Sequence, residues 1–204
     1  MPTLKFQNIF TVPLVTCDWG DSAALNEELL RRILAHEKVY RGDNRSNVGG
    51  WRSETGQLEF LGEAGRTLIA QVHQATVEGT RAVFQQHGLP LPEMRWQLQA
   101  WANVCYSGDF NSAHSHPGST WSTVYYVDAG APTSQQHSQL QLIAPCQGRA
   151  NTFMPYLLPD TLCITPEAGM MVLFPSYLAH AVLPHRGERP RVSIACNLRS
   201  DPYP

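Results

Sequence analysis

From Trp96 to Cys105 the chain alternates without a break. Trp96, Leu98, Ala100, Ala102 and Val104 fall on one side, and Gln97, Gln99, Trp101, Asn103 and Cys105 on the other. A period of two marks a β-strand, whose successive side chains point to opposite faces. The even-numbered set is apolar enough to bury one face of that strand. Further short runs follow at Trp121–Val127, Gln139–Ile143, Leu162–Thr165, Met170–Phe174 and Arg191–Leu198. In the last, Val192, Ile194 and Cys196 share a face. Short strands separated by Pro and Gly, such as Pro166 and Gly169, predict a sandwich or barrel.

Before Leu91 the period changes. Leu25, Leu29, Ile33 and Leu34 form an apolar stripe that predicts a helix from about Asp21 to His36, with Asp21 or Ser22 as cap. Leu68, Val72, Ala75 and Val83 predict a second helix from about Gly62 to His87, stopped by Gly88 and Pro90. Between them, Ser46–Ser53 reads as a turn-rich loop carrying Trp51. The stretch Asp128–Ser138 reads as a loop over the site. The expected organisation is one domain over 1–204: residues 1–90 as a helical layer packed on a barrel, and 91–200 as the barrel core.

The bulk properties exclude several functions. The formal net charge is -2 and the sequence has no basic patch, so nothing points to nucleic acid or an anionic membrane. No apolar run approaches the roughly 18 residues of a membrane helix, and no signal-peptide pattern opens the chain. Cys17, Cys105, Cys146, Cys163 and Cys196 are scattered without a C-x-x-C. Such a set reads as reduced thiols in the cytoplasm rather than a disulfide framework. A homodimer is plausible on general grounds.

The chemistry concentrates in four residues. His114 and His116 stand one residue apart in Asn111-Ser-Ala-His-Ser-His-Pro-Gly118, His180 follows Phe174-Pro-Ser-Tyr-Leu-Ala, and Arg191 opens Arg191-Val-Ser193. On a strand, His114 and His116 share a side, so their imidazoles can share one metal. Imidazole suits iron, zinc, copper or nickel rather than calcium or magnesium. Three protein ligands leave positions open for water, oxygen or substrate, as in a catalytic site. An arginine is the natural seat of a carboxylate, which it grips with two parallel hydrogen bonds. His185, beside Pro184 and Arg186, reads as solvated; His36, His73 and His87 read as surface residues of the helices.

These segments, with Ser46–Ser53, Tyr106-Ser-Gly-Asp-Phe-Asn-Ser-Ala-His-Ser-His-Pro-Gly-Ser119, Val124-Tyr-Tyr126, Gly169–Ser176 and Asn197, resemble bacterial and phage 2-oxoglutarate/Fe(II) dioxygenases related to the prolyl hydroxylases. The resemblance covers nearly the whole chain and is strongest from Trp96 to Asn197. It implies a mainly β protein with N-terminal helices: a cupin-like double-stranded β-helix, or jelly roll. It implies Fe(II) held by His114, His116 and His180, and 2-oxoglutarate whose far carboxylate meets Arg191 and Ser193. Tyr106 and Tyr126 fall where such enzymes place tyrosines near the cosubstrate. Tyr106 also continues the even-numbered face of Trp96–Val104, which suggests that this face looks inward. Asn103, Asn111 and Trp51 are candidates for contact with a small-molecule or peptide substrate.

One departure matters. The usual motif of these enzymes is His-x-Asp or His-x-Glu, and here the second position is His116. A three-histidine site is the simplest reading. If His116 were instead the first ligand, Gly118 would make a halogenase-type His-x-Gly and leave His114 idle. The expected activity is a hydroxylase that couples decarboxylation of 2-oxoglutarate to oxidation of a C–H bond. Two rivals stay open: a three-histidine cupin dioxygenase that needs no 2-oxoglutarate, and a non-catalytic jelly roll that binds a metal or small acid.

Overall fold

A computed structural model describes residues 11–43, 45–134, 136–146, 148 and 159–201. Eleven strands and two α-helices are present among them: β1 (Val15–Asp18), α1 (Ala23–Glu37), β2 (Asn47–Val48), β3 (Trp51–Arg52), α2 (Gly62–Gln86), β4 (Trp96–Cys105), β5 (Phe110–His114), β6 (Trp121–Asp128), β7 (Leu140–Ile143), β8 (Thr161–Ile164), β9 (Met170–Pro175), β10 (His180–Val182) and β11 (Arg191–Ser200). They form two sheets. The larger has the order β1-β9-β6-β11-β4-β3, and the smaller β2-β5-β10-β7-β8. Every pairing between these strands is antiparallel.

The larger sheet has two unlike faces. Ala100, Ala102 and Val104 of β4, Val192, Ile194 and Leu198 of β11, and Tyr125 of β6 pack in one core with Leu29 and Ile33 of α1 and Leu68 and Val72 of α2. Both helices lie close to the bounds read from their apolar stripes. Ser22 occupies the N-cap of α1 but makes no side-chain capping bond. Its hydroxyl is packed where a Cβ on Gly169 would lie, 2.3 Å away, so the expected cap is spent on helix–sheet packing. Two polar contacts tie the layers together: Tyr125 Oη donates to Asn26 Oδ1 at 2.6 Å, and Trp121 Nε1 donates to Thr80 Oγ1 at 3.0 Å. Buried polar groups are tolerated when partnered in this way.

The apolar face of β4 therefore looks outward, to the helices. The odd-numbered face looks into the space between the sheets. This reverses the inward direction inferred from hydrophobicity, because the helices, not the barrel interior, supply the larger apolar partner.

The stretch Ser46–Ser53 is not a plain loop. Asn47 pairs with Asn111 in the smaller sheet, and Arg52 pairs with Asn103 in the larger. Gly49 and Gly50 carry the chain from one sheet to the other with φ of 70° and 66°. A Cβ on Gly50 would lie 2.7 Å from the Val104 carbonyl oxygen, so the crossing needs glycine for both its handedness and its closeness. The segments before Leu91 thus add β1, β2 and β3 to the sheets as well as the helical layer.

Leu29 is fully buried between α1 and the sheet. Leu29→Ala should cost about 2–5 kcal/mol through lost burial and a residual cavity, read as a lower urea midpoint at unchanged m-value.

Candidate metal centre and cosubstrate cavity

Pairing of β5 with β10 sets His180 opposite His114. His116 lies just past the end of β5, where its backbone N–H donates to the Ser176 carbonyl at 2.9 Å. The three rings gather with centroids 4.9 Å (His114–His116), 4.3 Å (His114–His180) and 5.2 Å (His116–His180) apart. One nitrogen from each lies within 4.8 Å of the others, a group that could hold a metal ion.

Two of the rings are oriented by the backbone. Nδ1 of His114 meets the Ser112 carbonyl at 2.7 Å, and Nδ1 of His180 meets the Leu178 carbonyl at 2.9 Å. A carbonyl only accepts, so each Nδ1 carries the proton and each Nε2 keeps its lone pair for a metal. The Ser46 hydroxyl sits 3.3 Å from His114 Nε2. His116 is placed by packing, edge-on to Trp101 at 5.8 Å. Burial lowers the pKa of all three imidazoles, and His116 and His180 fall to about 4. Neutral rings are the ligating form.

A cavity of about 570 Å³ opens between the sheets at this cluster. Arg191 lines it and is 2% exposed. Its Cζ lies over the Tyr126 ring at 5.3 Å, and Nη1 donates weakly to Cys105 Sγ at 3.7 Å. Arg191 Nε and Tyr126 Oη are buried without a hydrogen-bond partner. Burial raises the pKa of the Tyr126 phenol, and the Arg191 charge opposes that rise without outweighing it. A bulge at Val192/Ser193 brings Tyr126 opposite Ser193, so both stand beside Arg191. Buried donors lacking acceptors are costly unless a ligand satisfies them. A carboxylate fits this seat, as Fe(II) fits three neutral imidazoles.

Several expected site residues do meet here: His114, His116, His180, Arg191, Ser193, Tyr126, Asn103 and Asn111 all line the cavity. Tyr106 does not. It is 45% exposed, and its hydroxyl donates to the Glu37 carboxylate of α1 at 2.9 Å. It continues the even-numbered face of β4, and that face belongs to the helices. Asn103 and Tyr106 differ in parity, so one strand could not present both. Trp51 is also elsewhere. It packs in the helix-side core and donates from Nε1 to the Tyr40 carbonyl at 2.8 Å. Its neighbour Arg52 lines the cavity instead.

Three further readings change. His185 is 1% exposed, with Nδ1 2.6 Å from Ser138 Oγ and Nε2 2.8 Å from the Arg189 carbonyl. It fastens the loop before β7 to the loop before β11. The stretch Asp128–Ser138 is held by that contact, and none of its described residues lines the cavity; residue 135 lies outside the described residues. His36 is half-buried, stacked on Phe60 at 4.0 Å and paired with Glu54. Arg52, Trp101 and Phe174 line the cavity without having been singled out. The strand alternation carried that signal for Trp101, once the polar face is taken as inner.

Residues 99–197 match a family model described as "Putative 2OG-Fe(II) oxygenase". The similarity to the 2OG-Fe(II) oxygenases lies in this segment, just under half of the chain. No curated protein matches it significantly. Among solved structures it is similar to a Pseudomonas putida prolyl-4-hydroxylase, at 18% identity and a TM-score of 0.63, with 93% of each chain covered. A prolyl hydroxylase from Trichoplax adhaerens, in complex with a hypoxia inducible factor oxygen degradation domain peptide fragment, gives 16% identity and a TM-score of 0.63 over 91% of this chain and 83% of that one. HygX from Streptomyces hygroscopicus, with nickel and 2-oxoglutarate bound, gives 13% identity and a TM-score of 0.57 over 93% and 83%. At such identities the likeness carries the fold, which is the jelly roll. Three imidazoles that could hold a metal, beside a buried arginine, fit the Fe(II) and 2-oxoglutarate that the matched family's description names.

The buried imidazoles give a pH signature. A free histidine titrates near 6.5, whereas His116 and His180 are held near 4. Between these values the unfolded chain binds more protons than the folded one, so stability falls as pH falls. The metal-free protein should lose thermal stability from pH 6.5 towards 4. His180→Leu should flatten that slope in denaturation curves measured pH by pH.

Proposed function

We propose that this protein is an Fe(II)- and 2-oxoglutarate-dependent oxygenase, a hydroxylase acting on a small-molecule or peptide substrate, with His114, His116 and His180 as its iron ligands and Arg191, Ser193 and Tyr126 as the seat of the far carboxylate of 2-oxoglutarate. The observation that carries the reading is Arg191: a fully buried guanidinium, its Nε unpartnered, lining the same cavity as the three histidines. No carboxylate among the described residues lines that cavity to neutralise it. A bound dianion would.

Iron and 2-oxoglutarate together supply the oxidising chemistry, consuming oxygen and releasing succinate and carbon dioxide. The protein's share is placement. Arg191 would grip the far carboxylate, and Tyr126, whose Oη is buried without a partner, would donate to it. The carbonyls of Ser112 and Leu178 keep Nδ1 of His114 and His180 protonated, which holds both rings in one orientation. Trp101 stands edge-on to His116 and Phe174 edge-on to His180, so the cluster has apolar neighbours on that side. His114 has the same backbone anchor as His180, which favours the three-histidine site over a His-x-Gly site with His114 idle. Five free thiols agree with a cytoplasmic setting.

His180→Ala removes the ligand that comes from β10. A folded variant should lose tight Co(II) or Fe(II) binding, measured by titration of apo-protein. Unchanged affinity would sink the ligand assignment.

Arg191→Ala should leave metal loading intact and weaken 2-oxoglutarate by about 2–5 kcal/mol, the cost of a buried carboxylate left without its partner. Arg191→Lys should be milder, since a point charge replaces a two-pronged fork. Anaerobic titration of the Fe(II) protein, followed through its metal-to-ligand absorption, measures both. Parental affinity in Arg191→Ala would place the cosubstrate elsewhere.

A further inference from the structure

The cavity holds more positive charge than iron and 2-oxoglutarate account for. Three arginines line it, Arg45, Arg52 and Arg191, and no aspartate or glutamate among the described residues does. The ligand set is also unusual in charge, since three imidazoles contribute none. Fe(II) brings two positive charges and 2-oxoglutarate two negative ones. Arg191 is matched by one of those carboxylates, so positive charge remains at the metal and on the other two arginines.

Arg52 is built into the wall. It is 7% exposed, and its guanidinium stacks over the Trp101 ring at 4.6 Å. Nη2 donates to Thr55 Oγ1 at 2.7 Å and Nη1 to the Ser53 carbonyl at 3.2 Å. Asp43 is the nearest carboxylate, 3.5 Å from Nη1; it is half-exposed and also accepts from Tyr40 Oη. That contact is at the long end for an ion pair and faces solvent, so it offsets the Arg52 charge only in part. Arg45, exposed on the next segment, adds a like charge and precedes Ser46, which touches His114.

The register separates this charge from the cosubstrate seat. Arg52 lies opposite Asn103, Asn103 opposite Ser193, and Ser193 opposite Tyr126. Arg52 is therefore in the same cross-strand row as Tyr126, three strands away, and as Ser193 of the carboxylate seat, two strands away. At roughly 4.8 Å per strand, that is about 10 Å, a gap suited to a second molecule. Trp101, between Arg52 and His116, supplies an apolar face along the gap.

We propose that the prime substrate is a small acid, whose carboxylate or phosphate group docks on Arg52 and Arg45 while its apolar part lies along Trp101 towards the metal. This rests on the oxygenase reading above, with 2-oxoglutarate at Arg191. Arginine suits either head group, because its planar fork matches both.

The test uses Co(II)-loaded protein, saturated with 2-oxoglutarate without oxygen, so that Arg191 is engaged and nothing turns over. Benzoate, phenyl phosphate and neutral benzamide share one ring and differ in head group. Each is titrated by calorimetry into the parent, Arg52→Gln and Arg45→Gln. At least one anion should bind tenfold or more tightly than benzamide. Arg52→Gln should weaken that anion at least tenfold and Arg45→Gln about threefold, with 2-oxoglutarate affinity unchanged in both. Preference for benzoate supports a carboxylic acid, and preference for phenyl phosphate a phosphorylated compound. Equal binding of all three probes, no binding of either anion, or parental anion affinity in both variants overturns the proposal. So does a loss of 2-oxoglutarate affinity in the variants, since the arginines would then serve the cosubstrate. Arg45 is exposed, so its variant keeps the test open if Arg52→Gln fails to fold. Failure of the parent to bind 2-oxoglutarate at all would be a different result, overturning the oxygenase reading and this one with it.

Discussion

The hydrogen-bonded pairing of β6, β11 and β4 puts alternate side chains of three strands on opposite sides of one sheet. Ala100, Ile194 and Tyr125 go one way, into the core under α1 and α2. Trp101, Asn103, Ser193, Arg191 and Tyr126 go the other way, into the cavity. A slip of one residue would exchange the two sets, stranding a guanidinium in the core and opening apolar side chains to water. The buried outer face therefore holds the inner face in register. The helices act on the chemistry at a distance, by making only one register stable.

The smaller sheet contributes two of the candidate metal ligands by the same means. His114 and His180 are far apart in the chain and adjacent across β5 and β10. Carbonyls two residues upstream aim both rings, so their tautomers follow from strand geometry. His116 lacks such an anchor among its described contacts and relies on Trp101 and its own backbone bond to Ser176. An imidazole where the usual motif has a carboxylate adds no negative charge to the cluster. With Arg191, Arg52 and Arg45 nearby, the whole cavity favours anions.

Much of this was legible in the chain. The period of two gave β4 and β11, and the apolar stripes gave α1 and α2 close to their observed bounds. The order His114, His116, His180, Arg191 pointed to a metal and an anion seat, because few other arrangements use those residue types together. Short strands were harder. β2, β3 and β10 are two or three residues long, too short for any period to show, and they exist because neighbouring strands pair with them.

The sequence alone determined which residues alternate and which chemistry they carry, since both are local properties of the covalent chain. It did not determine which face of β4 is inside. Hydrophobicity says only that one face is buried, and a sheet with helices on one side and a ligand cavity on the other buries both. Tertiary packing made that choice, sending Tyr106 and Trp51 towards the helices and Arg52 and Trp101 to the cavity. It also buried His185, because the loops that close on it come from separate parts of the chain. Contacts between segments distant in sequence leave no periodic trace, and only the folded chain brings them together.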